Sequence, residues 1–266
     1  MVDQRPNPNS GKSCVNIASD TPWIVKWRST PTAKVTLLTF PYAGGTASMA
    51  RRWTDLLPDW CDVWAVQYPG REERFAELPF DRAEPLADAI AAAIMPRLRG
   101  RFCFFGHSMG ALLAFLVAQR LMVAGQRAPH HLIVARRRAP HLPDPLKPSH
   151  DLPELQFIAR LRELNGTPPE IFQHTDLLEI LLPTLRADFA TSETYRHEPS
   201  PPLSCPLTVL GGTRDPTTTR DELCAWAVHA SESTTVHMFD GDHFFVRSEQ
   251  AAVLQQVAAI AAGVQD

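Results

Sequence analysis

The stretch Phe104-Phe105-Gly106-His107-Ser108-Met109-Gly110-Ala111 constrains the rest of this chain more than any other. The apolar, aromatic run at 101–105 reads as a buried strand, and residues 109–124 read as a buried helix. A serine between them, with a glycine two residues to either side, fits a sharp strand-to-helix turn. Small residues are needed there because the serine takes positive backbone φ while strand and helix pack closely. Such a turn lifts the Ser108 hydroxyl above the sheet edge and aims the Met109 amide at the place where an oxyanion would form. The chemistry indicated is nucleophilic acyl transfer. An accidental match in a chain with 13 glycines is the alternative, and the strand-before, helix-after setting weighs against it.

Around that turn, strand and helix patterns alternate. Residues 23–27 suggest an edge strand, 34–40 a β-branched buried strand, 62–67 a third, and 131–135 a fifth after the one leading to Ser108. Helices are expected at 47–57, where Thr46 can cap, and from Pro85 onward, with Leu86, Ile90 and Ile94 at four-residue spacing; Gly125 suits the end of the helix after Ser108. This order predicts an α/β fold, a mostly parallel sheet with helices on both faces. Residues 71–74 (Arg, Glu, Glu, Arg) read as a solvated loop.

The alternation then stops. A proline-dense loop (136–150) leads to helical patterns at 152–164 and 176–198 without any strand signal, so residues 142–200 read as a helical lid inserted into a domain spanning 21–266. The second of these helices is apolar on more than one face (Leu177, Leu178, Ile180, Leu181, Leu182, Leu185, Phe189). Either it is buried on two sides or one side lines a pocket. Strands at 207–210 and 234–238 and helices at 219–229 and 248–262 complete the pattern.

Bulk properties bound the function. A formal charge of -3 and a pI near 6.4 carry no basic excess, so neither nucleic acid nor an anionic membrane is an expected partner. Cys14, Cys61, Cys103, Cys205 and Cys224 are scattered and never spaced C-x-x-C, which points to reduced, structural thiols and no metal. Residues 1–20 are polar and offer little to bury, so they read as a disordered leader. No stretch has the length of a secretory signal or a membrane span, and a soluble cytoplasmic monomer is expected.

A serine hydroxyl needs a base, and the base needs an orienting carboxylate. Asp215 and His243 each lie just past a predicted strand, the side on which open α/β sheets build their sites. They also follow Ser108 in the order Ser, Asp, His that α/β-hydrolases show. Asp240 and Asp242 rival Asp215 by closeness to His243 in sequence, but lie too near it to reach Nδ1. The glycine pair in Pro41-Tyr42-Ala43-Gly44-Gly45-Thr46 lets backbone amides approach a ligand, and Ala43 is the amide expected to serve beside Met109; an ordinary strand-to-helix turn is the alternative.

Together, Phe40-Pro41-Tyr42-Ala43-Gly44-Gly45, Gln67-Tyr68-Pro69-Gly70-Arg71-Glu72, Gly106-His107-Ser108-Met109-Gly110, the run from Leu182-Pro183 through Ala187-Asp188-Phe189 to Tyr195, and Gly241-Asp242-His243-Phe244-Phe245 resemble type II thioesterases. These are stand-alone editing enzymes of nonribosomal peptide and polyketide synthesis, with the α/β-hydrolase fold. The resemblance covers roughly residues 21 to 262. It implies a substrate held as a thioester on the phosphopantetheine arm of an acyl or peptidyl carrier protein, no cofactor of the enzyme's own, and a helical lid that shapes the acyl chamber. One stretch departs from the pattern. The family usually has Gly and a single basic residue before Ala-Pro, whereas this chain reads Arg136-Arg137-Arg138-Ala139-Pro140. That run reads as a solvated basic loop, with attraction to an acidic carrier surface as the alternative. An esterase or lipase acting on oxygen esters, and a non-catalytic binding protein of the same fold, are the competing functions.

Overall fold

The computed structural model describes residues 21–164, 166–167 and 169–264; the leader expected at 1–20 lies outside the described residues. Seven strands form one sheet: β1 (Ile24–Arg28), β2 (Val35–Phe40), β3 (Cys61–Val66), β4 (Arg101–His107), β5 (His131–Ala135), β6 (Leu207–Gly212) and β7 (Thr234–Phe239). Their order across the sheet is β1-β3-β2-β4-β5-β6-β7. Only the edge strand β1 runs antiparallel; every other pair is parallel. The serine-bearing β4 is therefore central, between β2 and β5.

Helices cover both faces, as the alternation predicts. One face packs on α1 (Ala83–Ile94) and α2 (Met109–Val123), the other on the terminal helix (Gln250–Gly263) and a short helix at Ala47–Asp55. Helix α2 is apolar all round because it is buried on nearly every side, from Met109 through Ala118. At its end Gly125 takes φ +67° and its amide bonds to Met122, the left-handed cap that glycine makes cheap.

Two helices depart from the sequence reading. The helix expected at 47–57 spans 47–55 and winds as a 3-10 helix, and Thr46 makes no side-chain cap. The buried positions Ala47, Ala50 and Trp53 recur every three residues, which matches three residues per turn. The 219–229 helix divides in the same way. Thr219 and Glu222 form a reciprocal cap for α5 (Arg220–Cys224), after which Trp226 and His229, three apart, are buried in a 3-10 turn.

Between β5 and β6 lie α3 (Glu154–Leu164) and α4 (Thr175–Glu193). Helix α4 ends five residues before the expected 198, where Arg196 turns back to bond the carbonyls of Glu193 and Tyr195. Leu178, Leu182 and Leu185 of α4 pack with Phe157, Ile158 and Leu161 of α3, while Leu177 and Ile180 are exposed. The loop before α3 is tied to α4 through Glu193, which accepts from the Ser149 hydroxyl at 2.6 Å and the Ser149 amide at 2.9 Å. Among the described residues no helix is long and apolar enough to cross a membrane.

Candidate active site

Ser108 stands between β4 and α2 at φ 55° and ψ -114°, a conformation that costs about 1–3 kcal/mol for a residue with a Cβ. It is enforced from both sides. The Ser108 amide donates to the Ala135 carbonyl of β5 at 2.9 Å, and a Cβ at Gly106 or Gly110 would run into backbone: the Gly110 carbonyl in the first case, the Phe40 carbonyl in the second. The two flanking glycines are thus required by close approach, as the motif predicts.

The other residues expected at the site fall on loops at the same carboxyl edge: Ala43 after β2, Asp215 after β6, His243 after β7. Ser108, Ala43 and His243 all line one cavity of about 620 Å³, walled also by Leu185 and Phe189 of α4 and by the 136–148 loop. Both readings of α4's apolar faces hold in part, since Leu185 packs on α3 and also borders the cavity. His107 joins β4 to the His243 loop: its Nε2 donates to the His243 carbonyl at 3.1 Å, and the rings lie 5.8 Å apart. Burial, with Arg136 adding, pushes the His107 pKa down to about 3, so this ring is neutral.

Amides around the turn after β2 are apportioned. Gly44 donates to Asp188 at 2.7 Å and Gly45 to the Tyr42 carbonyl at 2.8 Å. Among the described residues no acceptor engages the amide of Ala43, nor that of Met109, which opens α2 and so has no helical partner. Gly44 takes φ +76°.

Residues 71–74 are a correction to the sequence reading: they are no solvated loop. Arg71 is 7% exposed and grips Asp188 of α4 through both terminal nitrogens, at 2.8 and 2.7 Å, while also donating to the Gly45 carbonyl at 3.1 Å. Arg74 is buried too, bonded to the Gln67 carbonyl and Glu77. Burial pulls the Arg71 pKa down and the Asp188 charge more than offsets it, leaving the pKa raised. A spacing argument confined to one segment misses this pair, whose members lie 117 residues apart.

The three-arginine run is likewise no solvated loop, nor a face free to meet a carrier. Arg136 is 9% exposed, Arg137 bonds the Ser192 hydroxyl at 2.5 Å, and Arg138 pairs with Glu222 at 2.9 Å. Arg136 takes φ +52°, a left-handed backbone that glycine adopts at lower cost, here with an arginine in it.

Its side chain changes the site. The Asp215 carboxylate receives Arg136 Nε at 2.5 Å and Nη2 at 3.2 Å, and the Thr217 amide and hydroxyl at 2.9 and 2.8 Å. Burial raises the Asp215 pKa, but the bonds and charge of Arg136 and the bonds of Thr217 hold it lowered on balance. Meanwhile Nδ1 of His243 is buried with no partner, and burial, reinforced by Arg136, His107 and Arg160, keeps its pKa well below the ordinary histidine value. Asp215 and His243 reach the same edge of the sheet, yet the carboxylate is turned to Arg136. Asp242 accepts from the Phe244 amide at 2.8 Å and exposed Asp240 pairs with Arg214, so both sequence neighbours of the base are otherwise engaged. Among the described residues no cluster of three or more His, Cys, Asp or Glu side chains is placed to hold a metal ion.

The chain was compared with known proteins. The family model described as a thioesterase domain matches residues 35–261. The linear gramicidin dehydrogenase LgrE of Brevibacillus parabrevis is 43% identical over 235 residues, 87% of this chain and 89% of that protein. Thioesterase PikA5 of Streptomyces venezuelae is 37% identical over 238 residues, 89% and 84% of the two chains. Among solved structures, the type II thioesterase BorB from the borrelidin biosynthetic cluster superposes with a TM-score of 0.82 at 34% identity, covering 92% of this chain and 98% of that one. The first relative is named a dehydrogenase, but the family match over most of the chain is to thioesterases.

Proposed function

We propose, from the premise that this chain belongs to the thioesterase family, that it hydrolyses acyl groups from the phosphopantetheine arm of carrier proteins and so clears stalled nonribosomal peptide or polyketide synthases. In this reading Ser108 is the nucleophile, His243 the base and Asp215 the acid that orients it. His243 takes the Ser108 proton as Oγ bonds to the thioester carbon, and the oxyanion lies on the amides of Ala43 and Met109, each donor worth on the order of 3 kcal/mol. The carbon–sulfur bond then breaks, and the departing thiol takes the proton from the imidazolium. Water, deprotonated by His243, attacks the acyl-serine ester and releases the free acid and Ser108. Helices α3 and α4 serve as the lid over the acyl chamber. The enzyme acts as a cytoplasmic monomer with no cofactor of its own.

The observation that carries this reading is the strained Ser108 turn opening into the same cavity as Ala43 and His243. The relatives named above, with BorB and PikA5 titled thioesterases, support the carrier as partner class. The test compares release of an acyl group from a loaded carrier protein with hydrolysis of a p-nitrophenyl ester of the same acid. The carrier substrate is expected to win in kcat/KM; a wide margin for the small ester would make the protein an esterase instead.

A further inference from the structure

The proposed mechanism leaves two guanidinium groups of the cavity wall with unused donors. Arg136 spends Nε and Nη2 on Asp215 and Thr217, and its Nη1 has no partner among the described residues. Arg137, the next residue, is anchored to Ser192 through its terminal nitrogens, and its Nε is buried with no partner among the described residues. A buried donor left unpaired costs about 1–3 kcal/mol, and Arg137 Nε, next to the Arg136 guanidinium in the cavity wall, points to an acceptor that arrives with the substrate. The charge around them agrees. Arg138, Lys147 and Arg160 share the same wall, against Asp144 and Glu193.

Resting on the reading of Ser108, His243 and Asp215 given above, we propose that the acyl group hydrolysed here carries a carboxylate, and that Arg136 is the positioning residue that reads it. Without such a group, Arg136 engages both oxygens of Asp215, Thr217 adds two bonds to Oδ1, and His243 Nδ1 has no partner among the described residues. A substrate carboxylate in the cavity offers the Arg136 guanidinium the same bidentate geometry that Asp215 does. Drawing the guanidinium onto the substrate frees Asp215 to receive the proton of His243 Nδ1, which fixes the tautomer that a base needs. Residue 136 directly follows the Ala135 carbonyl that holds the Ser108 amide, and both Ser108 and Arg136 line the cavity.

The experiment uses the full chain with succinyl and butyryl groups, of equal carbon number, on the same carrier protein. For the native chain the succinyl substrate is expected to exceed the butyryl in kcat/KM on the order of tenfold, with the difference in kcat as well as KM. In Arg136→Gly, which also suits the positive φ at that position, butyryl turnover should rise, succinyl turnover should fall, and the preference should vanish; Arg136→Lys should retain part of it. A merely structural arginine would lower both rates together. Preference of the native chain for butyryl, or an equal loss of both activities in Arg136→Gly, overturns the proposal. A Ser108→Ala control separates the two levels: if it is inactive while the native chain shows no preference, only this inference fails, and if it still turns over either substrate the serine reading itself fails.

Discussion

Nε2 of His107 donates to the main-chain carbonyl of His243 at 3.1 Å, so the residue before Ser108 also holds the loop that carries His243, the proposed base. Replacing His107 by Ala leaves that carbonyl without its donor, and a loss of about 1–3 kcal/mol is expected, with kcat reduced more than KM as the base loop shifts. His107→Gln, which can still donate, should recover most of both. Thermal unfolding and steady-state kinetics on the two variants check this.

The same histidine sets a stability dependence on pH. Its pKa in the fold is pushed down to about 3 by burial, against about 6.5 when unfolded. The unfolded chain therefore binds the proton more readily below 6.5, and stability is full above that pH and falls as the pH drops toward 3, by up to several kcal/mol. Denaturant titrations at pH 7, 5.5 and 4 should show the decline, and His107→Gln should show a shallower one. Equal slopes in both proteins would contradict the assignment.

Activity should follow His243 in a related way. Burial first, then the charges of Arg136, His107 and Arg160, hold its pKa well below the ordinary value. The neutral imidazole is the working form, so kcat/KM should stay level to below pH 6.5 before falling. Arg136→Gly removes one of those charges and releases Asp215, both of which raise the pKa of the base; its acid limb should move to higher pH.

Asp188 links α4 to the turn after β2, accepting from Arg71 at 2.7 and 2.8 Å and from the Gly44 amide at 2.7 Å. Asp188→Ala strands the Arg71 charge in the interior and should destabilise the fold by about 3–5 kcal/mol. Asp188→Asn keeps the shape and one acceptor. It should fold, and lose kcat because Gly44 adjoins the Ala43 amide proposed to hold the oxyanion. Calorimetry and single-turnover acylation measure the two effects.

What could be seen in the sequence beforehand was whatever depends on local pattern. The mostly parallel sheet, the edge strand at residues 23–27, the Ser108 turn and the place of His243 just past a strand follow from apolar runs, glycine spacing and loop position, and all are found. The helix type at 47–55 was left open, although the three-residue spacing of Ala47, Ala50 and Trp53 was present as a signal. The Arg71–Asp188 and Arg136–Asp215 pairs were not legible, because each joins residues far apart in sequence and a charge run on its own reads as solvated. Even so, the departure of Arg136-Arg137-Arg138 from the family pattern marked a stretch that lies in the cavity wall.

Ser108 itself gives the most direct measurement. With φ at 55°, Ser108→Gly should relieve strain and raise stability by roughly 1 kcal/mol while abolishing turnover. Intact-mass analysis of the native protein mixed with an acyl-loaded carrier should catch the acyl group covalently on the enzyme, and Ser108→Ala should show neither the adduct nor thioester hydrolysis. An adduct at some other residue, or undiminished hydrolysis by Ser108→Ala, would contradict an acyl-serine route.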